Sequence, residues 1–422
     1  VHYKFNPHPK DISLQNCGLC GVGCLIQTET QAGTITRVTT SQKEPGFNGK
    51  NLCFKGRFGW QSFYDKDRLT VPLKKEKGIF KEISWQEATD LIAEKISLGN
   101  SQRFEISPYI SLEEMLLLKR AADKYTTVLS ANPAFSAFSD SCISLRPQKE
   151  PYRILDNFQE YVVYGELNQV LATLIRLQQR KGKKLTLVNY PENPFCRFAD
   201  ANYANIKEVQ TTEKTLFIYN QNRISEQEAY ELWCFASEKG KDNLLVSTDY
   251  HNHPGFLAMQ PNFSLTVSDF VLGWGVYPFL SAEAKFSVAI MTFKDEKAPV
   301  DLLIPAPSYL EMEGTALSDL GQVTKSANPA KSIIINELLR MFYCLKWIHP
   351  NSAEIPFWNG EAEKFLVSLQ NYVPAKFEPN AIKSAELSKT IKGIPSQVEK
   401  YIATLFEQRK IAIKFSGWLT SS

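Results

Sequence analysis

Four of the eight cysteines in this sequence are spaced to do chemistry together. Cys17, Cys20 and Cys24 fall within eight residues and Cys53 follows, in the pattern C-x2-C-x3-C-x28-C. Gly18, Gly21 and Gly23 lie between the first three. Glycines let a short loop fold around a compact inorganic core and turn its N–H groups towards sulfur. Four thiolates, three from one tight loop and one from further along, can hold a cubane [4Fe–4S] cluster. A four-cysteine zinc site uses the same ligand set. Zinc usually takes its thiolates as two similar C-x2-C knuckles, so the three-plus-one spacing favours iron–sulfur. Clustered thiols without any metal would be an oxidation liability. Cys142, Cys196, Cys234 and Cys344 are scattered singly and read as buried small hydrophobes. A chain this long with no export signal argues against a disulfide framework.

The segment after the fourth cysteine reads Cys53-Phe54-Lys55-Gly56-Arg57-Phe58-Gly59-Trp60, followed by Asp67-Arg68-Leu69 and Pro72-Leu73. Ser84-Trp85-Gln86-Glu87-Ala88 then opens an amphipathic helix, with Ser84 as N-cap and Glu87 as its capping-box partner. Taken together, the stretch from Cys17 to Ile96 resembles the iron–sulfur domain of the molybdopterin oxidoreductase family. That family includes formate dehydrogenases, nitrate reductases and the large iron–sulfur subunit of complex I. The resemblance implies that Cys17, Cys20, Cys24 and Cys53 ligate a [4Fe–4S] cluster. It also implies that Lys55 matches the lysine between cluster and pterin in catalytic members. Read by residue type alone, Lys55 is a donor to cluster sulfur or a surface charge.

The elements that must position these residues follow the hydrophobic pattern. Residues 110–124 read as a helix with Met115 in its core. Strand Tyr161 to Gly165, helix Leu167 to Arg180 and strand Lys184 to Asn189 form a β–α–β unit, which implies a parallel sheet. Leu216 to Asn220, a helix from Ser225 to Glu238, Leu244 to Ser247 and Ser287 to Phe293 continue the α/β pattern. Asp301 to Thr315 resembles the family segment D-hydrophobic-L-P-x-x-S-x-x-E-x-x-G-T, there a strand, a helix start and a turn. Asn222 and Gly255 stand at family-like loop positions. The expected fold class is α/β: a small N-terminal Fe–S domain, Rossmann-like parallel-sheet α/β domains and a helical C-terminal tail. The expected boundaries are 1–70, 71–210, 211–335 and 336–422.

Composition narrows the function. The 422 residues carry 48 Lys+Arg against 45 Asp+Glu, which excludes polyanion binding by bulk charge and gives no sign of a nucleic-acid partner. No run of about 18 apolar residues predicts a membrane span. VHYKFNPHPKDIS has no apolar core and does not read as a secretory signal. The opening Val1 fits removal of an initiator Met, or a fragment. The expected location is cytoplasmic, or peripheral to a membrane complex.

Several departures from the catalytic pattern point away from substrate chemistry. Few residues separate Ser130 from Tyr161, and Cys142 lies there with no adjacent His. Asn189-Tyr190-Pro191-Glu192-Asn193 puts a carboxylate where the family commonly has an arginine for a dinucleotide phosphate. Ile206 to Thr212 replaces a Gly-Thr-Asp loop. The chain is also short beside catalytic members, whose C-terminal domain closes over a second pterin. His251 and His253, in His-Asn-His-Pro-Gly, read as a surface turn.

The expected function is an iron–sulfur electron-transfer or structural subunit of a multi-subunit redox complex, of NADH dehydrogenase, hydrogenase or formate dehydrogenase type, without a Mo/W bis-pterin. Its partners would be flavin- or NAD(P)H-handling subunits, other iron–sulfur subunits, or hydrogenase or dehydrogenase modules. One alternative is a compact Mo/W-pterin formate dehydrogenase-like catalytic subunit, which would need a pterin-phosphate site at other loops, such as around Asn168 or Asn220. The other is an interaction module in which the cluster only staples its loop.

Overall fold

The structure is a computed structural model that describes residues 11–44, 46–132, 135, 151–238, 243–263, 266–326, 333–352 and 355–369. Cys142, the end of the expected helix at Lys239-Gly240, and the tail beyond 369 lie outside the described residues.

The N-terminal unit is an antiparallel sheet of Asp11–Asn16, Leu25–Gln31 and Thr34–Thr39, in that order. The cysteine loop is the connection between its first two strands. Asn16 pairs with Leu25, so the next residues inward, Cys17 and Cys24, face each other.

Two largely parallel sheets follow. The five-stranded sheet runs Ala201–Tyr203, Lys184–Val188, Glu160–Tyr164, Thr215–Asn220, Leu244–Ser247, all parallel. Its central strands are continuous apolar runs because helices cover a parallel sheet on both faces, which leaves no wet side for polar alternation. The seven-stranded sheet runs Ile79–Glu82, Leu73–Glu76, Leu302–Pro305, Phe286–Met291, Phe270–Trp274, Gln102–Ile106, Leu129–Ala131. Its first two strands form an antiparallel hairpin on an otherwise parallel sheet. The chain therefore enters the larger sheet, leaves to build the smaller one, and returns. The boundary expected at residue 210 falls inside the five-stranded sheet.

Local chemistry sets the helix starts. Complete capping boxes join Ser84 with Glu87, Ser111 with Glu114, and Ser225 with Glu228. The second moves the expected helix start from 110 to Leu112, because the Ser111 hydroxyl must accept the Glu114 N–H, at 3.3 Å. Met115 is fully buried, as its helical spacing predicts. Helices Ile334–Cys344 and Ile355–Ser368 follow. Leu338, Phe342, Trp347 and Trp358 bury against Trp274 and Phe104, so this part of the tail closes the core of the larger sheet.

Three readings are corrected. His251 and His253 are not on a surface loop: both are 2% exposed. The turn feeds a short helix, His253–Ala258, whose Phe256 packs on Phe135 and draws the histidines inward. Cys196 and Cys234 are half-buried and Cys344 is exposed, so they are not core hydrophobes. Cys196 sits in a surface turn and Cys344 at a helix end, where helix and turn geometry outweighs side-chain polarity. Finally, the segment after Leu302–Pro305 forms a turn and then strand Thr315–Leu317, with no helix start. The Glu311 carboxylate accepts the Ser308 N–H at 2.7 Å, which fixes that turn.

Candidate metal centre

The antiparallel hairpin closes the cysteine loop with a hydrogen bond from Cys17 N–H to Cys24 C=O at 2.8 Å. Cys17 and Cys24 are each 4% exposed, and Cys20 and Cys53 are half-buried. Cys53 arrives as the N-cap of a short helix, Phe54–Phe58, with its Sγ accepting the Gly56 N–H at 3.4 Å. The Cys17 and Cys20 thiols accept N–H groups from Leu19 and Val22. The glycine-rich loop thus turns its amides onto sulfur, as its composition predicts.

The four thiols form one electrostatic group. Burial pushes the Cys17 thiol up to about 12, with Cys53 adding to the rise and the Lys55 ammonium opposing it. Burial likewise holds Cys20 well above the ordinary thiol range, with further rises from Cys53, Cys24 and Cys17. Cys24 is raised by burial, then by Cys17 and Cys53. Four thiolates in this setting require a compensating positive charge, which metal ions supply. Among the described residues no three His, Cys, Asp or Glu side chains close on a single ion. Ligation of one ion by three of these thiols would therefore need side-chain movement. Lys55 is half-buried, and its ammonium acts on the Cys17 thiol.

The loop is held from outside by residues that sequence reasoning did not single out. Gly21 N–H donates to Thr248 C=O at 3.1 Å, and Asp319 N–H donates to Gly21 C=O at 2.7 Å. The Asp319 carboxylate accepts the Thr248 N–H at 2.6 Å and the Thr248 hydroxyl at 3.1 Å. Burial raises the Asp319 acid to about 8 against these hydrogen bonds. Asp319 stands at the turn between Thr315–Leu317 and Val323–Lys325, and Thr248 follows the strand Leu244–Ser247 of the five-stranded sheet. The His251 ring is hydrogen-bonded to the Cys17 backbone, and burial keeps it neutral, with its pKa lowered to about 4. Tyr309 covers Gly18 so closely that a Cβ there would lie 2.4 Å from the tyrosine Cβ. The family-like segment from 301 to 315 hinted at this region. Nothing in the sequence joined Tyr309 or Asp319 to the cysteines.

Ligands of parallel sheets bind at the strand C-terminal ends where the strand order reverses. In the smaller sheet that point lies between Glu160–Tyr164 and Thr215–Asn220, beside Asn168 and Asn220. There the Asn168 Oδ1 accepts Asn220 Nδ2 at 2.7 Å and Ser247 Oγ at 2.6 Å, and Asn168 Nδ2 donates to Asp249 at 3.2 Å. Arg223 pairs with Asp249 at 3.0 Å and with Glu166 at 3.7 Å. In the larger sheet the reversal lies between Gln102–Ile106 and Phe270–Trp274. Gly275 there stands so close to Ser107 that a Cβ would lie 2.4 Å from its Oγ.

These features define an iron–sulfur-type cysteine loop set on a two-sheet α/β body. Residues 16–65 match the family described as Molybdopterin oxidoreductase Fe4S4 domain, and residues 68–142 match Molybdopterin oxidoreductase. The two matches lie end to end over the cysteine loop and the first strands and helices of the larger sheet. A Bacillus subtilis protein named "Putative formate dehydrogenase YrhE" is 39% identical over 112 residues, 25% of this chain and 11% of that protein. A protein of Rhizobium meliloti, named as a subunit of NADH-quinone oxidoreductase, is 29% identical over 134 residues, 31% of this chain and 15% of that one. The matched stretch is therefore a small part of each relative. Acetylene hydratase from Pelobacter acetylenicus is similar in backbone path at 11% identity and TM-score 0.49, over 91% of this chain and 76% of that one. Among the described residues no helix is long and apolar enough to cross a membrane.

Proposed function

We propose that this chain is an electron-transfer subunit of a multi-subunit redox complex, carrying one [4Fe–4S] cluster on Cys17, Cys20, Cys24 and Cys53. The observation that carries this reading is the gathering of four thiols, from a hairpin loop and a helix cap, in a buried setting whose amides point at sulfur. The donor set fits the cluster: four thiols, N–H donors to three of them, and an apolar surround from the core of the five-stranded sheet. The bound cluster supplies a one-electron couple. The chain's own residues hold it, exclude water and set its potential through hydrogen bonds and the nearby Lys55 charge.

The residues at the strand-order reversals speak against a pterin dinucleotide. At one, Asn168, Asn220, Ser247 and Asp249 satisfy each other, and Arg223 is taken by two carboxylates. At the other, Gly275 lies so close to Ser107 that a Cβ there would meet its hydroxyl. Carboxylates beside a pyrophosphate repel it. A redox-active cluster without a substrate site implies partners that deliver and remove electrons. Flavin- or NAD(P)H-handling, iron–sulfur, hydrogenase or dehydrogenase subunits fit that need, and the Rhizobium meliloti relative is named as part of such a complex.

The test is metal and pterin analysis of the full chain purified anaerobically with its native partners, with EPR of the reduced sample. About four irons per chain, a reducible cluster signal and no Mo, W or pterin are expected. Stoichiometric Mo or W with pterin would overturn the reading in favour of a compact catalytic subunit.

A further inference from the structure

We propose that the Tyr309 hydroxyl donates a hydrogen bond to sulfur of the cluster, on the side held by Cys17 and Cys53, and thereby raises its reduction potential. This rests on the cluster reading above. Tyr309 lies on the turn after strand Leu302–Pro305, far in sequence from every cysteine of the cluster set. Its side chain is pressed onto the ligand loop, with Cβ, Cγ and Cδ2 lying 2.4, 3.1 and 3.6 Å from the position of a Cβ on Gly18. That contact explains why the residue after Cys17 has no side chain. Tyr309 is 9% exposed and shares one buried core with Cys17, Cys24, Cys20 and Cys53.

The phenol oxygen itself is buried and has no hydrogen-bond partner among the described residues. A buried hydroxyl left unmade costs free energy, so a native structure supplies a partner. The groups its oxygen interacts with electrostatically are the thiols of Cys17 and Cys53. A phenol is a donor, and sulfur carrying negative charge is the acceptor this space offers. Reduction adds an electron to the cluster and increases charge on its sulfurs. A donor aimed there stabilises the reduced form more than the oxidised one, and the potential rises.

Tyr309→Phe keeps the ring over Gly18 and removes only the oxygen. Iron content should stay at the wild-type level, and a redox titration followed by EPR should show the reduced form disfavoured about tenfold, about 59 mV more negative for one electron. Replacement of Tyr309 by 3-fluorotyrosine keeps both shape and donor and strengthens donation, so the midpoint should move the other way. A merely structural tyrosine predicts no shift in either variant. An unchanged midpoint in cluster-loaded Tyr309→Phe overturns the proposal while leaving the cluster reading intact. If Tyr309→Phe loses its iron, the fluorotyrosine protein decides by the presence or absence of its positive shift. A wild-type chain without iron would instead refute the cluster reading itself.

Discussion

Asp319 grips Gly21 from two sides: its N–H donates to the Gly21 carbonyl at 2.7 Å, and its carboxylate oxygens lie 2.2 Å from where a Gly21 Cβ would stand. The cysteine loop is thus shaped by a turn about three hundred residues further along the chain. Gly21→Ala forces the carboxylate away from Thr248, or the loop away from the turn. Overpacking of this kind costs about 1–3 kcal/mol. The variant should lose iron on desalting and unfold at lower urea than wild type. Full iron retention with a stability change under about 0.5 kcal/mol would show that the contact is not tight.

The four clustered thiols should behave differently from the isolated ones. Cys24→Ser removes a buried ligand and should leave the chain with far less than its full iron and no wild-type EPR signal. Cys344→Ser, at an exposed helix end, should keep both. Equal iron in the two variants would remove Cys24 from the ligand set.

Arg68 and Glu311 form a buried ion pair, with side chains 6% and 4% exposed. Arg68 also donates to the Leu69 and Thr292 carbonyls, both at 2.8 Å. It ties the exit of the Fe–S domain to the turn that carries Tyr309. Arg68→Met strands the Glu311 carboxylate and should destabilise by about 3–5 kcal/mol. The double variant Arg68→Met with Glu311→Gln should recover part of that loss in urea unfolding. A single variant as stable as wild type would contradict the pair's structural role.

His253 makes stability depend on acid. Burial lowers its pKa from 6.5 to about 4, and its Nε2–H donates to the Phe135 carbonyl at 3.1 Å. Between those values the unfolded chain binds a proton that the folded chain does not. The contribution is therefore intact above pH 6.5 and is lost as pH falls through 4, reaching about 3 kcal/mol. His251 is lowered in the same direction, so the comparison must isolate one ring. His253→Gln keeps a donor but cannot titrate, and should flatten the fall in urea midpoint between pH 7 and pH 4. Parallel curves for the two proteins would show that His253 charges without penalty.

The sequence by itself determined whatever local rules govern. The C-x2-C-x3-C…C spacing, the capping pair Ser84–Glu87 and the apolar strand Tyr161–Tyr164 each carry their signal within a few residues. The α/β class followed from those periods. Only the tertiary structure decided what stands against the cysteines. Tyr309, Asp319 and the loop that carries Thr248 and His251 are three separate stretches of chain, and sequence distance carries no trace of their meeting. The histidines show the reason most plainly. His-Asn-His-Pro-Gly has the composition of a turn, but its exposure depends on Phe135 and Cys17, which only the folded packing brings to it. The same holds for the two sheets. Strand order is set by which apolar faces bury together, so the chain's return to the larger sheet became visible only in three dimensions.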